Sequence, residues 1–127
     1  MICLDANILL DVALERTHKT ACESLIDTAR KNREELAITA LTLDIVMYYA
    51  ERHRIDMGWI QQYLNLFTWL PVEEADAHWA FARFKGKDFE DGLQVACALR
   101  EKCSKFVTID RGLAKKYATL MQIELIR

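Results

Sequence analysis

Two apolar rhythms alternate along this chain. Short continuous apolar runs at 2–4, 36–39, 69–72, 106–109 and 123–126 have the length of buried strands. Between them, apolar residues recur at helical spacing: Leu9, Leu10, Ala13 and Leu14; Ala21, Cys22, Leu25, Ile26 and Ala29; Leu43, Val46, Met47 and Ala50. A further helix opens at Asp56-Met57-Gly58 and aligns Ile60, Tyr63, Leu64 and Phe67. The stretch 73–84 turns Ala77, Ala80, Phe81 and Phe84 inward, and Gly86 ends it. Asp88 caps a long helix through Leu93, Ala96, Cys97 and Leu99 to about 102, and a short one spans 113–117. Asn7 and Thr42 are the expected N-caps of the first and third helices. The only proline, Pro71, cannot donate to a ladder, so it marks an edge strand or the boundary of one.

Strands alternating with helices imply a parallel sheet covered on both faces. At 127 residues the chain makes one domain, 1–127, with no internal repeat or linker. No apolar run reaches membrane-spanning length, and Met1-Ile2-Cys3-Leu4 reads as a strand with no signal-peptide features. Cys3, Cys22, Cys97 and Cys103 have neither zinc nor disulfide spacing, so reduced buried thiols and a cytoplasmic location are expected. The net charge of −2 argues against broad capture of nucleic acid, leaving room only for a local basic patch.

The chemistry lies in four short acidic motifs: Leu4-Asp5-Ala6-Asn7, Thr42-Leu43-Asp44, Asp88-Phe89-Glu90-Asp91 and Thr108-Ile109-Asp110. Each acid sits just past a strand or in the first turn of a helix. In an open α/β sheet these positions share one rim, beyond the carboxyl ends of the strands. Carboxylates about 5 Å apart repel by roughly 3 kcal/mol per pair at an effective dielectric of 20. A divalent cation with oxygen ligands is the natural neutraliser. The plain alternative is that each acid merely caps a helix or turns the chain. Capping does not require that the four face one another.

In their order, these motifs resemble the PIN-domain nucleases, and within them the VapC-type toxins of toxin–antitoxin pairs. Asp88-Phe89-Glu90-Asp91-Gly92-Leu93-Gln94-Val95-Ala96-Cys97-Ala98-Leu99 and Thr108-Ile109-Asp110 carry most of the likeness, which spans nearly the whole chain. The resemblance implies a three-layer α/β/α sandwich with a central parallel sheet of four to five strands. It implies catalytic acids at Asp5, Asp44, Asp91 and Asp110, with Asp5, Asp91 and Asp110 as metal ligands. Asn7, Asp88 and Thr108 are the supporting residues. The second acid is usually Glu in the family; the shorter Asp44 points to contact through water. The implied activity is Mg²⁺- or Mn²⁺-dependent endonucleolytic hydrolysis of RNA. The implied partners are a VapB-type antitoxin and a second copy of the chain.

Hard oxygen ligands suit Mg²⁺ or Mn²⁺. No lysine or histidine stands in the motifs as a general base, so activation of water falls to the metal. Arg83, Lys85, Lys87 and Arg111 adjoin the motifs and are the candidate phosphate contacts; Lys115 and Lys116 read as solvated surface. Trp59, Tyr63 and Phe67 form a stripe, either core or a partner groove. His18, His53 and His78 share no ligand spacing, and Asp11 reads as exposed. The alternative function is a PIN-like module that binds RNA or protein without cutting. A phosphoacceptor receiver is excluded, because Glu73-Glu74 follows the third strand and no lysine follows the fifth.

Overall fold

The computed structural model describes residues 1–127 and places five parallel strands in the order β3-β2-β1-β4-β5. In chain order the elements are β1 (Ile2–Leu4), α1 (Ala6–Ala13), α2 (Lys19–Lys31), β2 (Leu36–Thr39) and α3 (Ala40–Arg52). There follow α4 (Met57–Leu64), β3 (Thr68–Leu70), α5 (Glu74–Arg83), α6 (Phe89–Arg100), β4 (Lys105–Thr108), α7 (Arg111–Tyr117) and β5 (Ile123–Leu125). The strand period of two explains the layering. Ile2 and Leu4, Leu36 and Ile38, and Val107 face one core with α1 to α4. Cys3, Ala37 and Phe106 face the other core with α6 and α7, and α5 packs on α6. This is the three-layer sandwich that the alternating rhythms imply. No helix is long and apolar enough to cross a membrane.

The chain runs from β1 outward to β2 and β3, then returns to lay β4 on the other side of β1. The order therefore reverses between β1 and β4, which opens a crevice at their carboxyl ends. Both readings of Pro71 hold: β3 is an edge strand, and it covers Thr68–Leu70 and stops before Pro71, which lacks the N–H a ladder needs.

Several local expectations shift. The N-cap of α1 is Asp5, whose extended backbone ends β1 directly, and not Asn7. The cap of α3 is Thr39, whose hydroxyl accepts from the Thr42 N–H at 3.2 Å, which frees the Thr42 side chain for another contact. Phe81 and Phe84 point outward, 60% and 43% exposed; Asp76 and Ala80 form the buried face of α5. The polar Asp76 turns inward because its guanidinium partner, Arg100 (Nε at 3.1 Å), reaches it from α6. Asp11 is buried at 4% exposure and bonds the backbone N–H and Nδ1 of His18 at 3.0 and 3.2 Å. Of the aromatic stripe, Tyr63 and Phe67 are core, whereas Trp59 is exposed and stacks on Tyr63 at 5.2 Å. The four cysteines are free, three of them buried.

Candidate active site

Asp5 and Thr108 define the centre of the crevice. β1 and β4 pair in register through Leu4 and Val107, so the next residue of each strand arrives at the same level. The Asp5 N–H bonds the Val107 carbonyl at 2.9 Å, which continues the ladder one step and aims the side chain at β4. There the Thr108 hydroxyl donates to Asp5 Oδ2 at 2.6 Å and accepts from the Asp110 N–H at 3.0 Å. One hydroxyl thus ties the two acids that end β1 and β4. Asp110 caps α7, accepting from the Leu113 N–H at 3.1 Å.

Gln94 completes the floor. It is 1% exposed, and its Oε1 accepts from the Ala6 N–H at 3.1 Å and from the Thr42 hydroxyl at 3.3 Å. Only the amide oxygen can accept from a backbone N–H, and the Gln94 amide NH₂ acts on the Asp5 carboxylate, lowering its proton affinity. Sequence reading assigned Gln94 no role. Its signal was a polar residue one helical turn after Asp91, in an otherwise apolar run, which places both on one face of α6.

Burial raises the proton affinity of Asp5, while the Thr108 hydroxyl, the Asn7 backbone N–H and the Gln94 amide pull it down and Asp110 pushes it up. Asp91 is half-buried on the first turn of α6. Burial, followed by the charges of Asp5, Asp110, Asp88 and Glu90, drives its carboxyl up to about 7. Asp5, Asp91 and Asp110 therefore act on one another electrostatically. Asp88 stands at the N-cap of α6 with a left-handed backbone (φ 61°) and makes no capping bond. Its carboxylate instead faces a cleft of about 320 Å³, shared with Asp91, Asp110, Lys85, Lys87 and Lys116.

Other candidates sit apart. Asp44 is exposed on α3 and is not among the charges that act most strongly on Asp91. Asn7 contributes its backbone, not a cap. Arg83 folds back over the Trp79 ring, 3.9 Å from its centroid, and bonds the Trp79 carbonyl. Arg111 is exposed at the start of α7 and does not line the cleft. Lys116, which reads as solvated surface in the sequence, does line it, from the last turn of α7.

No three acidic, histidine or cysteine side chains stand together as a ready-made cage for a metal ion. The donor chemistry nevertheless fits Mg²⁺ or Mn²⁺. These ions retain several waters and need only one or two direct carboxylates, and the crevice holds three oxygen-only acids that burden one another with like charge.

The fold is that of several solved toxin–antitoxin proteins. A toxin–antitoxin complex from Klebsiella pneumoniae superposes with a TM-score of 0.77 at 17% identity, covering 98% of this chain and 96% of that one. VapBC2 from Rickettsia felis, bound to a DNA fragment from its promoter, gives 0.74 at 15% identity and full coverage of both chains. FitAB bound to a DNA fragment gives 0.72 at 18%, covering 98% and 94%. At these identities the likeness is one of fold. No curated protein matches the chain. Residues 1–112 match the family model described as PIN domain, and the chain accordingly belongs to the PIN-domain family, with the fold seen in VapC-type toxins.

Proposed function

We propose that this chain is a Mg²⁺- or Mn²⁺-dependent endoribonuclease, the toxin of a two-protein module whose antitoxin is of the VapB type. The observation that carries the reading is the convergence of Asp5, Asp91 and Asp110 on the β1/β4 crevice, where burial first, and then the charges of Asp5 and Asp110, push Asp91 to about 7. Membership of a family whose members are generally nucleases supports it. The fold shared with proteins solved in toxin–antitoxin complexes supports the partner; a homodimer working in the cytoplasm is part of the same proposal.

In this reading Asp5, Asp91 and Asp110 hold the ion, which when bound supplies Lewis acidity for water and phosphate. Thr108 and Gln94 fix the Asp5 carboxylate in one orientation, so little rearrangement is needed as charge develops. Lys85, Lys87 and Lys116 line the same cleft and would face the phosphates of a bound strand. Asp44, from the rim of α3, acts through water.

A second reading, a PIN-like module that binds RNA or protein without cutting, is favoured by the exposure of Asp44 and by the lack of a preformed three-ligand cage. End-labelled RNA incubated with the protein and Mn²⁺ separates the two. The nuclease reading requires internal cuts that vanish with a chelator and in Asp91→Asn. Binding without cuts, across a range of RNA sequences, would leave the second reading standing.

A further inference from the structure

Three phenylalanines crowd the surface beside the acid-lined cleft. Phe81 ends its last full turn of α5 60% exposed, and Phe84, 43% exposed, follows that helix. Phe89 opens α6 and touches both: its ring centroid is 4.6 Å from that of Phe81, at 35°, and 5.7 Å from that of Phe84, edge-on. The arrangement is held from below. Ala80 packs under Gly92, where a Cβ would come within 3.2 Å, and Arg100 of α6 grips Asp76 of α5. The rings are thus fixed to a rigid helix pair and still face solvent. An apolar cluster kept exposed in this way marks a contact surface.

Its surroundings narrow the occupant. The residues joining Phe84 to Phe89 include Lys85 and Lys87, and both line the cleft that holds Asp88, Asp91 and Asp110. Two lysines thus follow an exposed ring within one short segment that ends at the acids. The two exposed rings offer on the order of 200 Å² of open apolar surface, given about 200 Å² for a whole aromatic side chain. That is far short of the roughly 800 Å² each partner gives a stable protein interface. It suits one or two nucleobases.

We propose that Phe81, Phe84 and Phe89 form a stacking platform for unpaired bases of single-stranded RNA, with Lys85 and Lys87 on the intervening phosphates. It would seat the nucleotides next to the one cut, and it rests on the ribonuclease reading for the identity of the polymer. Stacking is indifferent to sequence because every base has a π-face, whereas a duplex keeps its faces to itself. The platform therefore selects for strand state: unpaired segments enter and paired ones do not. The expected loss on removing both exposed rings is about tenfold in affinity or more, the range seen for single base–aromatic stacks.

The test uses the full chain in an Asp91→Asn background, so that RNA survives, with a fluorescent single-stranded oligoadenylate as probe. Phe81→Ala with Phe84→Ala should raise Kd about tenfold or more on that probe. It should change nothing on the same backbone carrying abasic riboses, because no base remains to stack. Lys85→Ala with Lys87→Ala should weaken both probes equally. The Mn²⁺-induced shift in melting temperature, measured with the acids intact, should be the same with and without the phenylalanines. Equal loss on normal and abasic RNA, or no loss, would overturn the proposal. So would a drop in sedimenting mass in the phenylalanine variant, which would assign the rings to a contact between copies. Failure of the nuclease reading looks different: the unaltered chain cuts no RNA, whatever the binding pattern.

Discussion

Asp91→Asn is the sharpest single perturbation, and its sign depends on pH and metal. In the metal-free protein Asp91 titrates near 7, against about 3.9 for an ordinary aspartate. That gap corresponds to about 4 kcal/mol; because the side chain is only half-buried, solvent screening reduces it to about 2 kcal/mol. A carboxyl whose folded value lies above its unfolded value favours the folded state while protonated. The contribution is complete below about pH 4 and is lost as pH rises through 7. Asparagine never ionises and keeps it. In chelator, urea melts should therefore show the variant equal to the parent near pH 4 and about 2 kcal/mol more stable near pH 8. Mn²⁺ should reverse the order, since an ion at about a hundred times its Kd stabilises the parent by about 2.7 kcal/mol and the variant by far less. A parent more stable than the variant at pH 8 without metal would refute the claim that burial and the neighbouring acids raise the Asp91 carboxyl.

Thr108→Val removes a buried, charge-assisted bond to Asp5 together with the acceptor of the Asp110 N–H, and should cost about 2 to 3 kcal/mol in urea denaturation. Gln94→Met keeps the volume but strips the acceptor of the buried Ala6 N–H; about 1 to 3 kcal/mol of stability and about tenfold in Mn²⁺ affinity by calorimetry should go with it. Asp44→Asn, at an exposed position, should leave stability within about 0.5 kcal/mol and reduce cleavage less than Asp91→Asn, while Asp44→Glu should keep or improve cleavage. Equal and total loss from both Asp44 changes would make it a direct ligand in a tight geometry.

What the chain discloses on first reading is what local pattern can encode. Apolar runs set the strands, and Asp5 and Asp110 stand just past strand ends while Asp91 opens a helix, so topology carries all three toward one rim. What stayed hidden depends on partners far along the chain. Gln94 matters because of Ala6, 88 residues away, and Thr42, 52 away. Asp76 is buried only because Arg100 reaches it across 24 residues. Helix ends misled for a different reason. With only four glycines in the chain, Glu15, Arg33, Arg54 and Lys102 take left-handed backbones just past helices, at positions where glycine would have announced the stop. The inward assignment of Phe81 and Phe84 failed because helical spacing fixes which residues share a face, not which face meets the core.

The pairing of β1 with β4 has a consequence for how the protein comes into being. Asp5 is made among the first residues, yet the hydroxyl that holds it arrives 103 positions later. Parallel strands so distant in sequence pair late, because the long loop between them must close before any contact compensates. During synthesis the ribosome therefore extrudes Asp5, Asp44 and Asp91 well before Phe106, Val107 and Thr108 exist to complete the crevice. A nascent chain halted before β4 carries three of the four acids and has no crevice to gather them in until β4 has been made and docked.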